Sequence, residues 1–296
     1  MRKIKVITDS CSDLNSELLE KHNIDYAKMS TVLEGVESPA LLTWSYEDVH
    51  KLYDTIRSGK RVTTAQVSTK EFNDIFEKYL SQGFDIIYIG CSSKQSGSVN
   101  TGNMIAKNIL EKYPDGRIAC IDSLNASIGE GMLAIEASKM VENHSFDEIV
   151  NHILNIRKKV NQFVTVHTLE HLRKAGRVSA SSAFFGNLMG VKPVLISDIN
   201  GTQYAYKKVK GRHTSLNTII SLLKENIIDS ENQTIYVAHA DCPQAEIDEF
   251  ISTVKSEIPC KDVCTVYIGP IIGASIGPDA IGIWGFGNDV TAEYKD

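Results

Sequence analysis

Three short runs rich in Ile and Val, each flowing into a patch of hydroxyl and acidic residues, restrict this chain more than any other feature. Residues 3–8 (Lys-Ile-Lys-Val-Ile-Thr), 85–90 (Asp-Ile-Ile-Tyr-Ile-Gly) and 117–122 (Arg-Ile-Ala-Cys-Ile-Asp) read as strands. Such compact apolar runs suit a sheet covered on both faces, hence a largely parallel one. Helices are predicted between them. Ser68-Thr69-Lys70-Glu71 and Ser145-Phe146-Asp147-Glu148 are S-x-x-E capping boxes, in which serine and glutamate satisfy orphan amides reciprocally. After the second, Ile149, Ile153, Ile156 and Val160 share one helical face. The alternation predicts a doubly wound, parallel-sheet α/β domain.

The second half has a different texture. Candidate strands at 163–167, 193–198, 203–209, 234–239, 263–268 and 281–286 have fewer long helices between them. Leu216, Ile219, Ile220 and Leu223 mark one amphipathic helix, and 243–257 another. Asn200-Gly201 between two strands is a hairpin signal. This half reads as α+β with a mixed or antiparallel sheet. A polar run at 158–162 predicts the junction, giving an N-terminal domain over 1–160 and a C-terminal one over 161–296.

Composition bounds the function. The chain has 296 residues, 31 basic and 37 acidic, for a net charge of −6, and 42% of it is apolar. That is ample for a core, which excludes a disordered chain. No run approaches the roughly 20 apolar residues that a membrane helix needs. The start reaches Asp9 without a signal-peptide core, so a cytoplasmic location is expected. The acidic balance argues against a nucleic-acid binder. The basic run Lys207-Lys208-Val209-Lys210-Gly211-Arg212-His213 reads as a solvated edge. Cys11, Cys91, Cys120, Cys242, Cys260 and Cys264 form no C-x-x-C pair, so neither disulfides nor a metal site is predicted.

Ligands of open α/β sheets bind beyond the carboxyl ends of the strands. Four hydroxyl-rich stretches fall at or near such places: Asp9–Leu14, Val62–Ser68, Cys91–Ser98 and Asp122-Ser123. Any one of them is explained by helix capping, the role expected of Asp13 and Ser68. Together they suggest an anion site at helix N-termini, with Thr64 and Ser96 as contacts and Gly97 letting backbone approach closely. Enzyme signatures are poor: there is no G-x-S-x-G, P-loop, H-E-x-x-H or strand-borne G-x-G-x-x-G. Gly129-Glu130-Gly131 reads as a helix start. His167 and His171 stand four apart, but nothing completes a metal set, and packing is the plainer reading. Cys91 reads as a small buried residue and lacks a nameable base, while Trp44 and Trp284 read as core or interface.

As an ordered set, these motifs resemble the DegV family of bacterial lipid-binding proteins, which includes fatty-acid-kinase B subunits. The resemblance runs through Ile7–Leu14, Thr64–Ser68, Ser92–Ser98, Asp122-Ser123, Thr168–Ser179, Gly190–Leu195, Gly211-Arg212 and Ile268–Pro278. It implies two domains enclosing one fatty acid and no cofactor. It also implies that Thr64 and Ser96 hold the head group, and that a separate kinase subunit phosphorylates the exposed carboxylate. Arg177 and Arg212, each after a glycine, would face that partner or the phosphate. The chain departs from the family pattern at Ser275, where a carboxylate-contacting histidine is usual, and at Ala65, Val67, Val99, Asn100 and Asp279. Two other readings stay open on the residues: a small hydrolase or transferase using Ser96 or Cys91, and a binder of a different small anion.

Overall fold

The computed structural model describes residues 2–180 and 190–294. A four-stranded parallel sheet has the order β2-β1-β6-β7, from β1 (Lys3–Asp9), β2 (Asp25–Ala27), β6 (Phe84–Gly90) and β7 (Ile118–Asp122). Helices cover both faces, as the alternation predicts. Along β6, Ile86 and Tyr88 point into one apolar layer and Ile87 and Ile89 into the other. The first layer packs under α3 (Thr69–Leu80) and α4 (Ser98–Ile109), the second under α5 (Ile128–Met140) and α6 (Phe146–Ile156). A small helix α1 (Ser16–Lys21) links β1 to β2.

After a short 3-10 turn, β8 (Val160–Thr165) begins a six-stranded mixed sheet, of order β10-β9-β8-β13-β11-β12. The other strands are β9 (Val191–Ser197), β10 (Gln203–Lys210), β11 (Thr234–His239), β12 (Asp262–Tyr267) and β13 (Ile281–Phe286). The β9–β10 hairpin turns at Asn200-Gly201, with Gly201 at φ +81 and the Asp198 carboxylate accepting the amides of Asn200 and Thr202. Lys207–Lys210 of the basic run lie on β10, an edge strand. One face of this sheet is covered by α8 (Arg212–Asn226) and α9 (Gln244–Glu257). The other packs against α5. That helix is therefore wedged between the two sheets and buried from Ile128 through Ile135, so it needs no polar face.

A third sheet has no counterpart in the sequence pattern. It is an antiparallel trio, β4-β3-β5, from β3 (Ser30–Leu33), β4 (Val36–Pro39) and β5 (Val62–Ala65). The β3–β4 turn is Glu34-Gly35, with both residues at positive φ. Helix α2 (Tyr46–Arg57) follows β4. In the second half, α7 (Glu170–Ala175) and α10 (Pro270–Ile276) pack on each other, and α10 also packs on α2 and β5. Among the described residues no helix is long and apolar enough to cross a membrane.

Two capping expectations change. Ser145 and Glu148 form the full reciprocal box, but Ser68 has only half of one. There the Glu71 carboxylate accepts the Lys28 amide of a neighbouring segment instead. Asp13 is not a helix cap at all. Asn15 caps α1, and Asp13, at φ +52, turns its carboxylate inward.

Candidate functional site

In the parallel sheet the chain leaves β1 in one direction and β6 in the other, so the two strands flank the topological switch point. The loops beyond their carboxyl ends open onto a cavity of about 300 Å³ between the parallel sheet and the mixed sheet. Its wall from the first half includes Cys11 after β1, Cys91, Ser96 and Gly97 after β6, and Thr64 on β5. The apolar wall is built largely by the second half, with Val164, Leu195, Ile268, Ile271, Ile276 and Trp284. Trp284 is 1% exposed and donates its indole N–H to Asn125 Oδ1 at 3.3 Å, so its polar edge is satisfied while its ring faces the cavity.

Each polar group at the cavity has an identifiable support. Thr64 is held in β5 opposite Thr31 of β3, so the small third sheet is what delivers it. Ser96 precedes α4, whose N-cap is Gly97, a residue with no side chain to cap the helix. A Cβ at Gly97 would stand 2.1 Å from Oε1 of Gln66, an exposed side chain that packs over the glycine. The Ser96 hydroxyl shares a 3.0 Å hydrogen bond with Ser98 Oγ and accepts the Ser98 amide. No imidazole or carboxylate stands among those partners. Ser275 comes from α10, its hydroxyl directed to Ile271 O at 3.5 Å.

Helix α10 reaches the site because two buried groups of the first half grip the segment that starts it. Tyr53 on α2 donates to Ile268 O at 2.7 Å. The Asp13 carboxylate accepts the Gly269 amide at 2.8 Å and the Ser127 hydroxyl. Burial pushes the Asp13 carboxyl up to about 7, against the pull of those two hydrogen bonds. Sequence reading misses both anchors, because their partners lie far off in the chain.

Thr64, Arg177 and Ser275 also border an outer cleft of about 380 Å³, together with Lys60, Arg61 and Lys174. The cavity mouth is therefore rich in cations. His171 lies there too, its ring over the backbone of Gly277, where a Cβ would come within 2.4 Å of it. His167 instead meets Lys192 Nζ at 2.8 Å, so the two histidines engage different neighbours and form no ligand pair. Thr64, Ser96, Gly97, Ser275, Cys91 and Arg177 all line one cavity. Arg212 does not join them. It opens α8 and forms a two-pronged ion pair with Glu246, at 2.9 and 2.8 Å.

Fold and site together define a two-domain α/β protein with an internal cavity at its domain junction. The chain belongs to the DegV family, whose model, described as an uncharacterised protein family, matches residues 3–286. A DegV domain-containing protein of Clostridium perfringens is 31% identical over 289 residues, covering 97% of this chain and 99% of that one. Among solved structures, a DegV lipid-binding protein of Thermotoga maritima superposes with TM-score 0.85 at 25% identity, covering 98% of this chain and all of the other. DegV of Bacillus subtilis, described as a fatty acid binding protein, gives TM-score 0.82 at 25% identity over 97% and 100% of the two chains.

Proposed function

We propose that this chain is a non-enzymatic carrier that binds one long-chain fatty acid in the cavity between its two domains. The carboxylate lies toward Thr64, Ser96, Gly97 and Ser275, and the acyl chain against the wall of Val164, Leu195 and Trp284. Residues 1–160 supply most of the head-group contacts, and residues 161–296 cover the tail. The observation that carries this reading is the double placement of Thr64, Ser275 and Arg177, which border both the cavity and the adjoining cleft lined by cationic side chains. A carboxylate there meets hydroxyls and positive charge while its chain stays dry. The fatty-acid-binding descriptions of related DegV structures support the same ligand.

Burial of the tail dominates affinity. A buried methylene contributes about 0.8 kcal/mol, and a hydrogen bond to a charged group about 1.5–3 kcal/mol. Four methylenes therefore offset the one head-group hydrogen bond that a histidine at position 275 would add over Ser275. Organic extraction of the purified protein followed by mass spectrometry tests the reading: a fatty acid at near one per chain is expected. Absence of lipid together with no uptake of added palmitate or oleate overturns it.

A second step follows in the cytoplasm, presentation of the carboxylate to a separate fatty acid kinase subunit. It is supported by Arg177, exposed at the mouth, rather than by Arg212, whose charge is engaged by Glu246. Reversal of Arg177 to Glu is expected to slow acyl phosphate formation at least tenfold at saturating fatty acid, beyond any loss of lipid affinity. Unchanged turnover would remove the docking role.

A further inference from the structure

The switch point holds a cluster that the lipid reading does not use. Cys11 Sγ, Cys91 Sγ and a carboxylate oxygen of Glu130 lie within 4.8 Å of one another, and all three residues are buried. Met29 Sδ is 3.5 Å from Cys11 Sγ, adding a thioether. Both cysteines and Met29 also line the cavity, which gives the cluster a route to solvent. These residues are scattered along the sequence, so no ligand spacing betrays them.

Charge is what makes the cluster informative. Glu130 is 0% exposed; its Oε1 accepts the Thr8 hydroxyl and the Asp9 amide, while Oε2 has no hydrogen-bond partner. Asp9, equally buried, accepts the Tyr88 hydroxyl and the amides of Cys11 and Cys91. None of these donors is a cation. Two buried acids, a free carboxylate oxygen and two thiols are donors assembled without a counter-charge.

We propose that Cys11, Cys91 and Glu130 form a binding site for a thiophilic divalent ion of the Zn(II) type, with its fourth coordination position turned toward the cavity. Zinc takes sulfur at about 2.3 Å and oxygen at about 2.0–2.2 Å in a tetrahedron, which sets donor atoms roughly 3.3–3.8 Å apart. Two thiolates and the Glu130 carboxylate, bonding through Oε2, take up the ion's charge. Binding displaces the two thiol protons and the Glu130 proton into solvent. Cys11 and Cys91 share the cavity wall with the proposed acyl chain, so the ion is tested on lipid-free protein.

Co(II) titration of the reduced, metal-stripped full chain tests this, followed by displacement with Zn(II). One cobalt per chain is expected, with thiolate-to-metal charge transfer and tetrahedral d–d bands. Cys11→Ser and Cys91→Ser should each remove at least half of the charge-transfer intensity, and Glu130→Gln should weaken binding tenfold or more with the sulfur bands kept. Cys242→Ser should leave all of it unchanged. Should the buried variants fail to fold, X-ray absorption of zinc-loaded wild-type protein decides alone, with two sulfurs and lighter atoms around the ion expected. No cobalt bands at one equivalent, intact bands in both cysteine variants, a shell of no or four sulfurs, or oxidation of the pair to a disulfide as the only product would each overturn the assignment.

Discussion

Asp13 shows how much of the site rests on single buried groups. Its carboxylate joins three segments: its own loop after β1, Ser127 before α5, and Gly269 before α10. Its raised pKa has a definite consequence for stability. Below about pH 4 the group is protonated in both folded and unfolded chains. Between about 4 and 7 the unfolded chain releases the proton while the folded chain keeps it, so stability falls as pH rises. Above about 7 the loss is complete, at about 4 kcal/mol if the whole shift is realised. Thermal unfolding across pH 4–8 should therefore show a decline that flattens in Asp13→Asn; parallel curves for the two proteins would refute the assignment. Sequence reading expects Asp13 to cap a helix, because aspartate after a strand commonly does so. Its left-handed backbone and distant partners are tertiary facts that local pattern does not carry.

At the scale of elements, legibility follows burial. Except for the three-residue β2, which sequence reading misses, the strands of the two main sheets are readable because each packs an apolar run against helices or the facing layer. The hairpin at Asn200-Gly201, the helix through Leu216 and Leu223, and the S-x-x-E box at Ser145 are readable from local chemistry alone. The β3-β4-β5 trio is not. Its first two strands are half-buried and exposed, so no periodic apolar face announces them. Yet this trio delivers Thr64, while α10 delivers Ser275 against it. The grip on α10 can be loosened without touching the cavity. Tyr53→Phe removes one hydroxyl and leaves the buried Ile268 carbonyl without that donor, a loss of about 1–3 kcal/mol. Urea unfolding should report that loss, and fatty acid binding should weaken with it as Ser275 shifts. Stability and affinity both at wild-type values would show that α10 is held by its other neighbours.

For the whole molecule, the division of labour between halves yields a prediction neither half makes alone. The first half brings hydroxyls to the cavity, and the second brings most of its apolar wall. Candidate contacts at Thr64, Ser96 and Gly97 are legible because βα junctions collect such residues by rule. The wall is not, since Val164, Leu195 and Trp284 read equally well as core. The cavity forms because these side chains meet the parallel sheet's loops across a gap. Head and tail should then contribute separably to binding. Across saturated fatty acids of increasing length, each added pair of methylenes should tighten binding by about 15-fold until the cavity is filled. Thr64→Val should weaken every member of the series by the same factor, roughly 10- to 150-fold for the loss of a hydrogen bond to a charged group. Trp284→Ala should instead flatten the dependence on length, because it removes wall and leaves the head group's partners in place. Calorimetric titration of the series against the three proteins measures both quantities. If Thr64→Val changes the slope and Trp284→Ala only the offset, the acyl chain runs in the opposite direction, with its carboxylate inside.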